Sequence, residues 1–490
     1  RQRLSEQDKL KLGSVAKEVY ESGIRLSLTL SQQTFSKKEY LSTAFEFCER
    51  SKSAVLLEAI TETKAKEFSG IPNELLQLED SLKDEISYLE RKLAEPENAE
   101  DQQLKSLIFT YQNAYRSFIN KLEKEYPKYF NLKYSHDLAS IEEIQSKLND
   151  NSAMLSYFLG NDQLFAFLIT SKNAKSFRFT IDKDFEKNAT GLRNAIKYNV
   201  KSAFNSYSKK LYEQLIPKIP GNISQLVILP DGVLGTIPFE ALINPQDNSS
   251  SYKETDFLIR KYHISYDYSA TLFTQKTYNE DGSNPEILLV APVEFDTNET
   301  QMAALPGSEK EVKEIRYLFM GNNCQPTVQA KRQASETNLK SEDLSKYQYL
   351  HFATHGFVNE SEPALSKIFL RPDQKEDGSL YAGEIYNLKI NADLVTLSAC
   401  ETGLGKVAKG EGIVGLSRAL QYAGANNIIV SLWQVADEST SEMMIEFYKY
   451  NLTNYHHGYN TALRKAKLSL LNSDNYNRPY YWAPFILVGM

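Results

Sequence analysis

Apolar residues recur along the first 135 residues with the three- and four-residue spacing of amphipathic helices. In "AKEVYESGIRLSLTLSQQ" and "YLSTAFEFCERSKSAVLLEAI", apolar residues recur three and four positions apart, with polar residues between them. The segments "ELLQLEDSLKDEISYLERKL" and "SLIFTYQNAYRSFINKLEKEY" continue this pattern. The pattern predicts an all-α region over residues 1–135.

Short runs of aromatic and β-branched residues replace the helical pattern from Ser152 onward. The runs "AMLSYFLG", "QLFAFLIT" and "AKSFRFTI" are separated by turn-forming residues and predict a strand meander. A helical stretch follows, and then two further predicted strands in "QLVILP" and "YHISYDYS". The polar segment "TQKTYNEDGSNPE" indicates a domain boundary near residue 280, so residues 136–280 are predicted to form a second unit.

Apolar strands alternate with helical segments from residue 286 to the end of the chain. The runs "EILLVA", "YQYLHFAT", "ADLVTLSA" and "NNIIVSLW" are nearly continuous, which is typical of strands buried on both faces. Ser308 and Glu311 have the spacing of a capping box at the start of one helix. The alternation predicts an α/β domain over residues 281–490, with a mainly parallel sheet flanked by helices.

Two reactive residues lie where two of these predicted strands end. His355 and Gly356 follow "YLHFAT", and Cys400 follows "LVTLSA" 45 residues later. If the strands are parallel neighbours, both side chains emerge at one edge of the sheet, where ligands of such sheets bind. His355 could then serve as base for a Cys400 thiolate, and the N–H groups of Gly356 and Cys400 could form an oxyanion hole.

Each of these residues alone has a simpler explanation. A free cysteine at a strand end is usually a packing residue, and a histidine before a glycine is often a hydrogen-bonded turn residue. The pair on neighbouring predicted strands favours catalysis. No acidic third member is visible, so we expect a backbone carbonyl to orient His355.

The remaining histidines and cysteines are interpreted as structural or solvated. His351 and His355 would share one face of a helix, but this segment indicates a strand and offers no acidic third ligand, so no metal site is predicted. Cys48 lies in an amphipathic helix and Cys324 in a polar loop, neither with a histidine nearby. The histidines assigned to structure or solvent are His136, His263, His456 and His457.

Composition and charge narrow the function classes. The 490 residues suggest two to four domains, and a net charge of −7 argues against nucleic acid as the main partner. No apolar run approaches the roughly 20 residues that span a bilayer. We therefore expect no membrane contact. Three widely spaced cysteines form no disulfide framework, which indicates a cytoplasmic protein. Neither a metal nor a cofactor is expected. The start, "RQRLSEQDKL", indicates a cut through a longer protein and not a signal peptide.

Several motifs together resemble the CHAT family of caspase- and separase-like cysteine peptidases (clan CD). They are "LPDGVLGTIPFEAL", "LPGSEKEV", "HFATHGF", "LSACETGLG", "GEGIVGLSRALQYAGA", "SLWQV" and "YYWAPFILVG". The resemblance implies a caspase-like sheet in residues 281–490, a degenerate caspase-like half in 136–280, and a tetratricopeptide-like helical arm in 1–135. A plain helical bundle is the alternative for the arm, since no clean repeat of about 34 residues is visible.

The same resemblance implies a cysteine endopeptidase, in which His355 matches the catalytic histidine and Cys400 the nucleophile. The sequence "SACE" departs from the caspase signature, so cleavage after aspartate is not expected. We expect cleavage of a protein substrate through a thioester, in a regulated bacterial defence or cell-death pathway, with an activating protein bound through the arm. The alternatives are a non-catalytic adaptor that retains the fold and another type of Cys–His acyltransferase.

The loop after "SLWQV" is a candidate specificity pocket. By position, Asp437 and Glu438 resemble a separase stretch whose acidic residue helps to select a basic P1 side chain, which precedes the scissile bond. A carboxylate there would pair with arginine or lysine. Alternatively, Asp437 or Ser439 only caps a helix that begins at Ser441.

Overall fold

The computed structural model describes residues 6–52, 71–93, 98, 101–126, 138–276, 285–295, 302–322, 324–359, 362–398, 406–408, 412–453 and 458–489. The two predicted domain boundaries, at 135/136 and 280/281, lie outside these residues. Cys400 also lies outside them.

Helices make up the described part of the first 125 residues and alternate with strands later in the chain, as the hydrophobic pattern predicts. They are α1 (Glu6–Gln33), α2 (Lys37–Arg50), α3 (Asn73–Leu93), α4 (Gln102–Glu125), α5 (Ile141–Lys147), α6 (Phe185–Lys197), α7 (Lys201–Leu215), α8 (Leu258–Lys261), α9 (Ala270–Gln275), α10 (Pro306–Met320), α11 (Glu336–Ser341), α12 (Ala382–Ile385), α13 (Leu416–Tyr422), α14 (Asp437–Thr453), α15 (Tyr459–Asn472) and α16 (Pro479–Trp482). Short 3-10 turns lie at Gly232–Thr236, Phe239–Ala241, Lys331–Gln333, Leu344–Lys346 and Pro363–Leu365.

The described strands form one large sheet and two small ones. They are β1 (Ser152–Leu159), β2 (Gln163–Thr170), β3 (Ala174–Thr180), β4 (Gln225–Leu229), β5 (His263–Tyr266), β6 (Ile287–Ala291), β7 (Thr327–Ala330), β8 (Tyr349–Phe352), β9 (Gly356–Phe357), β10 (Lys367–Phe369), β11 (Ser379–Tyr381), β12 (Leu394–Leu397), β13 (Lys406–Ala408), β14 (Gly412–Val414), β15 (Asn427–Ser431) and β16 (Phe485–Val488). The eleven-stranded sheet has the order β3-β2-β1-β4-β5-β16-β15-β12-β8-β6-β7, the three-stranded sheet the order β11-β10-β9, and β13 pairs with β14.

The large sheet joins a first half (residues 138–276) to a second half (residues 285–489) with opposite strand directions. Strands β1, β4 and β5 are parallel to one another, and so are β15, β12, β8, β6 and β7. Between them, β16 is parallel to β5 but antiparallel to β15. The predicted mainly parallel α/β sheet is therefore confirmed, and the carboxyl ends of the two halves lie at opposite edges of it.

Strand β1 shows why the central strands of the first half are largely apolar. Leu155 and Tyr157 join the core that includes residues of α6 and α7, whereas Met154 and Phe158 join a second core with residues of α1 and α2. Successive side chains of a strand point to opposite faces, so a strand covered on both faces buries every residue. All eight residues of β1 are buried.

The helical region packs directly against both halves. In α1 and α2, Ile24, Phe45 and Cys48 are fully buried against the first half of the sheet. Helices α3 and α4 form a second pair, and α3 reaches the second half, where Arg91 lies 3.4 Å from Glu384. Among the helices that the structure describes, none combines the length and apolar content needed to cross a bilayer.

Candidate active site

His355 lies where β8 ends and the chain turns into β9. As predicted, β8 and β12 are parallel neighbours, with Phe352 opposite Leu397. The N–H of Ser398 extends this pairing by donating to the carbonyl of Phe352 at 2.9 Å. The strand that precedes Cys400 in sequence therefore ends beside the strand that precedes His355.

A backbone carbonyl orients the His355 ring, as the absence of a third acidic residue led us to expect. Its Nε2 lies 2.8 Å from the carbonyl oxygen of Ala303, and the ring of Phe295 packs against it with centroids 4.7 Å apart. Because a carbonyl oxygen only accepts hydrogen bonds, this contact assigns the proton of the neutral ring to Nε2. The lone pair is then on Nδ1, the atom that can act as a base.

The small three-stranded sheet fixes the backbone around His355. The N–H of Phe369 on β10 donates to the carbonyl of His355 at 2.9 Å, and Phe357 pairs with Lys367. In an antiparallel pair the hydrogen-bonded positions alternate, so His355 and Phe357 bond to β10 while Gly356 points its N–H and C=O away from it. This direction suits the predicted oxyanion role of the Gly356 N–H.

A pocket lies at the carboxyl ends of three parallel strands of the second half. Its walls come from β8, β12 and β15, from α10 and α14, and from β16. The lining residues are Leu305, Ser308, Glu311, Thr354, Ser398, Ser431, Val435, Asp437, Thr440 and Phe485. Within the described parts of the chain, the buried hydroxyl of Ser398 has no hydrogen-bond partner.

Asp437 contributes a carboxylate to this pocket and also caps a helix from another part of the chain. Its Oδ2 accepts the N–H of Gly307 in the first turn of α10, at an N···O distance of 2.5 Å. A Cβ atom at Gly307 would lie 2.6 Å from the carboxyl carbon, so only glycine allows this approach. Because α14 begins at Asp437, the alternative that Asp437 or Ser439 caps a helix from Ser441 is wrong.

Opposing effects act on the pKa of Asp437. Burial raises the pKa, the hydrogen bond from Gly307 lowers it, the nearby Glu311 carboxylate raises it again, and the net shift is upward. Glu438, the second predicted pocket residue, lies outside the pocket lining and is exposed. Its Oε2 lies 3.4 Å from the hydroxyl of Tyr476.

Glu311 is a pocket residue that the sequence interpretation missed. It is buried, and its Oε1 lies 2.7 Å from Nε2 of His351, which is also buried. The hydroxyl of Tyr448 lies 3.3 Å from the other ring nitrogen. The capping-box prediction is wrong, because α10 begins at Pro306 and the carboxylate of Glu311 points to β8, not to the helix end.

The two described cysteines are poor nucleophiles. Burial raises the pKa of the Cys48 thiol to about 12, and burial also raises the pKa of Cys324. Since the thiolate is the reactive form, neither thiol competes with Cys400. Desolvation and the charge of Arg464 lower the pKa of His263 to about 4, so this histidine is neutral. His136, His456 and His457 lie outside the described residues.

One group of carboxylates has the spacing of metal ligands. Oxygen atoms of Glu336, Glu376 and Glu384 all lie within 4.8 Å of one another. The ammonium of Lys340 lies 2.7, 3.1 and 3.0 Å from these three residues. The protein therefore supplies its own cation to this cluster.

Two known proteins match more than half of the chain. Tetratricopeptide repeat protein 28 of Homo sapiens is 25% identical over 328 residues and that of Mus musculus 24% over 339, in each case 57% of this chain. The chain spans only 13% of the length of each relative.

Two solved structures share low similarity with parts of the chain. Separase from the Saccharomyces cerevisiae separase–securin complex has a TM-score of 0.46 and 10% identity, covering 71% of this chain and 31% of its own. The arginine-specific cysteine proteinase gingipain R (RgpB) has a TM-score of 0.38 and 12% identity, covering 63% and 73%. A model of the CHAT domain matches residues 205–490, more than half of the chain. The chain therefore belongs to the CHAT domain family.

Proposed function

We propose that the chain is a cysteine endopeptidase with His355 and Cys400 as catalytic dyad and a protein as substrate. One observation supports this most: Ala303 holds Nε2 of His355, which leaves Nδ1 as a base at the sheet edge where β12 also ends. Cys400 follows Ser398 by two residues, and two residues of chain span about 7 Å at most. Membership in the CHAT family supports the same assignment.

The proposed reaction is acyl transfer. Nδ1 of His355 takes the thiol proton, and the Cys400 sulfur bonds to the scissile carbonyl carbon. The N–H groups of Gly356 and Cys400 stabilise the oxyanion. Breaking of the C–N bond leaves a thioester, and the imidazolium returns its proton to the leaving amine. Water then attacks the thioester, giving its proton to Nδ1, and the thiol is released.

A thiol-directed peptide probe tests the dyad. We expect an arginyl acyloxymethyl ketone to label the wild type but not Cys400→Ala or His355→Ala, while the matched control Cys324→Ala is labelled like the wild type. Sequencing of new protein N-termini in a lysate treated with wild type or Cys400→Ala then identifies the substrate. Labelling that persists in Cys400→Ala overturns the dyad. Labelling without new N-termini favours an acyltransferase, and no labelling favours the adaptor.

We propose further that the pocket selects a basic P1 residue. Two carboxylates, those of Glu311 and Asp437, line it together with several hydroxyls. A cationic side chain inserted there forms charge-assisted hydrogen bonds, while an acidic one meets two like charges. Hydrolysis of arginyl, lysyl and aspartyl coumarin amides measures this preference. Equal rates for the three would remove the pocket assignment.

We also propose that an activating protein acts through the helical arm, in a bacterial defence or cell-death pathway. Helix α3 contacts the connection that follows the small sheet: Arg91 pairs with Glu384, and Asp84 accepts from the Asn387 amide at 2.7 Å. The same small sheet carries Gly356 and holds the carbonyl of His355. A partner that moves α3 can therefore act on the dyad, which probe-labelling rates of Arg91→Ala and wild type would measure.

A further inference from the structure

The three-stranded sheet β9–β11 begins at the residue after His355 and presents an exposed aromatic side chain beside the candidate active site. We propose that the free edge of β9 and the ring of Phe357 form a subsite for the substrate segment on the carboxyl side of the scissile bond. This subsite favours an apolar residue in that segment. The inference rests on the proposed peptidase function and adds a second determinant of specificity to the acidic pocket.

Among the described strands, none pairs with the outer edge of β9. In the order β11-β10-β9, β9 is the outer strand. Gly356 is opposite Ile368 in the register, between two positions that bond to β10, so its N–H and C=O point from the outer edge. Because the proposed reaction uses the N–H for the oxyanion, the C=O is the group left to accept an N–H of the substrate segment. Such an edge accepts a peptide by main-chain hydrogen bonds, and side chains give the specificity.

Phe357 is at the outer end of a row of side chains on one face of this sheet. The register places Phe357, Lys367 and Tyr381 next to one another across the three strands. On the opposite face, Ile368 and Leu380 are buried in the core. Lys367 and Tyr381 contact each other, with the ammonium 4.9 Å from the ring centroid.

Phe357 is 48% exposed. A peptide residue paired with it on the outer edge would place its own side chain against the ring, and aromatic and apolar cross-strand pairs are favourable.

The chemistry assigns this subsite to the leaving side of the substrate. The leaving amine takes its proton from His355, so the chain that begins with this amine passes His355. Strand β9 continues directly from His355. The acidic pocket lies instead at the ends of β8, β12 and β15, under α10 and α14. The two determinants therefore contact opposite sides of the scissile bond.

Two kinds of substrate separate this subsite from the rest of the site. An arginyl coumarin amide carries no residues after the scissile bond, whereas a peptide library, digested and read by mass spectrometry, carries them. In the wild type we expect an apolar residue at one of the first three positions after the cleavage site. Phe357→Ala should lower the rate on such a peptide about 3- to 10-fold more than the rate on the coumarin amide.

Matched variants make the result specific. Phe357→Leu should restore most of the apolar preference, and Phe109→Ala, an exposed phenylalanine on α4, should leave the ratio of the two rates as in the wild type. A preference that stays the same in Phe357→Ala overturns the subsite alone. If the wild type cleaves neither substrate and takes no active-site probe, the proposed function fails and the subsite with it.

Discussion

The two halves of the large sheet use the carboxyl ends of their parallel strands in opposite ways. In the first half these ends are closed by the protein's own charges. Lys52 donates to Ser156 on β1 and to the carbonyl of Leu229 at the end of β4, and Asp231 accepts the N–H of Leu159. After β5, Asp267 and Lys276 form a buried pair at 2.7 Å.

In the second half, the corresponding strand ends border a pocket. Thr354, Ser398 and Ser431 line a pocket, and His355 stands beside it half-buried. Buried polar groups are expected to be satisfied, and among the described residues none bonds to the buried hydroxyl of Ser398. A sheet edge thus becomes a candidate site where the fold leaves polar groups exposed to a cavity, and becomes a structural junction where charges pair internally.

The largest difference in kcat/KM is expected between substitutions of one histidine in each half. His355→Ala removes the base and should lower kcat/KM on an arginyl coumarin amide by at least about 10³-fold. His263→Gln, at the start of β5 in the first half, should change kcat/KM less than about twofold, because His263 contacts only Thr461 and Arg464 among the hydrogen-bond partners described. Similar losses in both variants would contradict the division between a chemical and a structural half.

Stability should depend strongly on the buried charges that close the strand ends of the first half. Lys276→Met leaves the Asp267 carboxylate buried without its cation, and the free energy of unfolding should fall by about 3 kcal/mol in urea titrations. The matched variant Lys172→Met breaks a pair with Asp150 in which both side chains are 72% exposed, and should cost less than about 0.5 kcal/mol. Equal losses in the free energy of unfolding for the two variants would contradict this expectation.

Asp437 tests whether a second-half carboxylate serves the pocket or only the fold. Asp437→Asn keeps an oxygen to accept the Gly307 N–H but loses the charge, so kcat/KM for an arginyl substrate should fall about 10-fold or more at little cost in stability. Asp437→Ala should lower the free energy of unfolding by about 1 kcal/mol more than Asp437→Asn does, because it also removes the side chain that caps α10. The control Glu438→Gln, on an exposed residue, should behave like the wild type in both assays.

The smallest expected effect is a change in how stability depends on pH. The pKa of His263 is lowered to about 4, chiefly by desolvation and also by Arg464, so the folded protein keeps this ring neutral. The unfolded chain binds the proton below about pH 6.5, so stability should fall as the pH drops from there towards 4. His263→Gln should flatten the stability profile in this window by less than about 1 kcal/mol, since the ring is only partly buried. A profile identical to that of the wild type would assign the acid sensitivity to other groups.

Much of the fold could be predicted because strand signals are local. A strand covered on both faces is largely apolar, and β1, β8, β12 and β15 could be recognised from this feature. The pairing of the two halves through β16 could not be predicted. Val488 meets Tyr266 across a single parallel contact, while the same strand runs antiparallel to β15. Neither relation leaves a mark in the apolar pattern of "FILV".

Part of the candidate site could also be predicted. His355 and Gly356 were found because a reactive side chain followed by glycine at a predicted strand end is a chemical signal in itself. Ala303 and Gly307 carried no such signal, since one contributes only a carbonyl and the other only the lack of a side chain. The spacing of Ser308 and Glu311 led to a wrong capping-box prediction, because a buried carboxylate and a capping carboxylate cannot be told apart in sequence.

The sequence by itself determined which residues are candidates for chemistry and which segments are buried strands, because side-chain type and periodicity can be read from neighbouring residues. The tertiary structure alone decided which distant residues contact one another. Ala303 meets His355 across 52 residues, and Gly307 meets Asp437 across 130. Such contacts depend on the order in which strands join the sheet and on the helices laid over it. Only the folded chain brings together the backbone groups and charges that surround this histidine and this cavity.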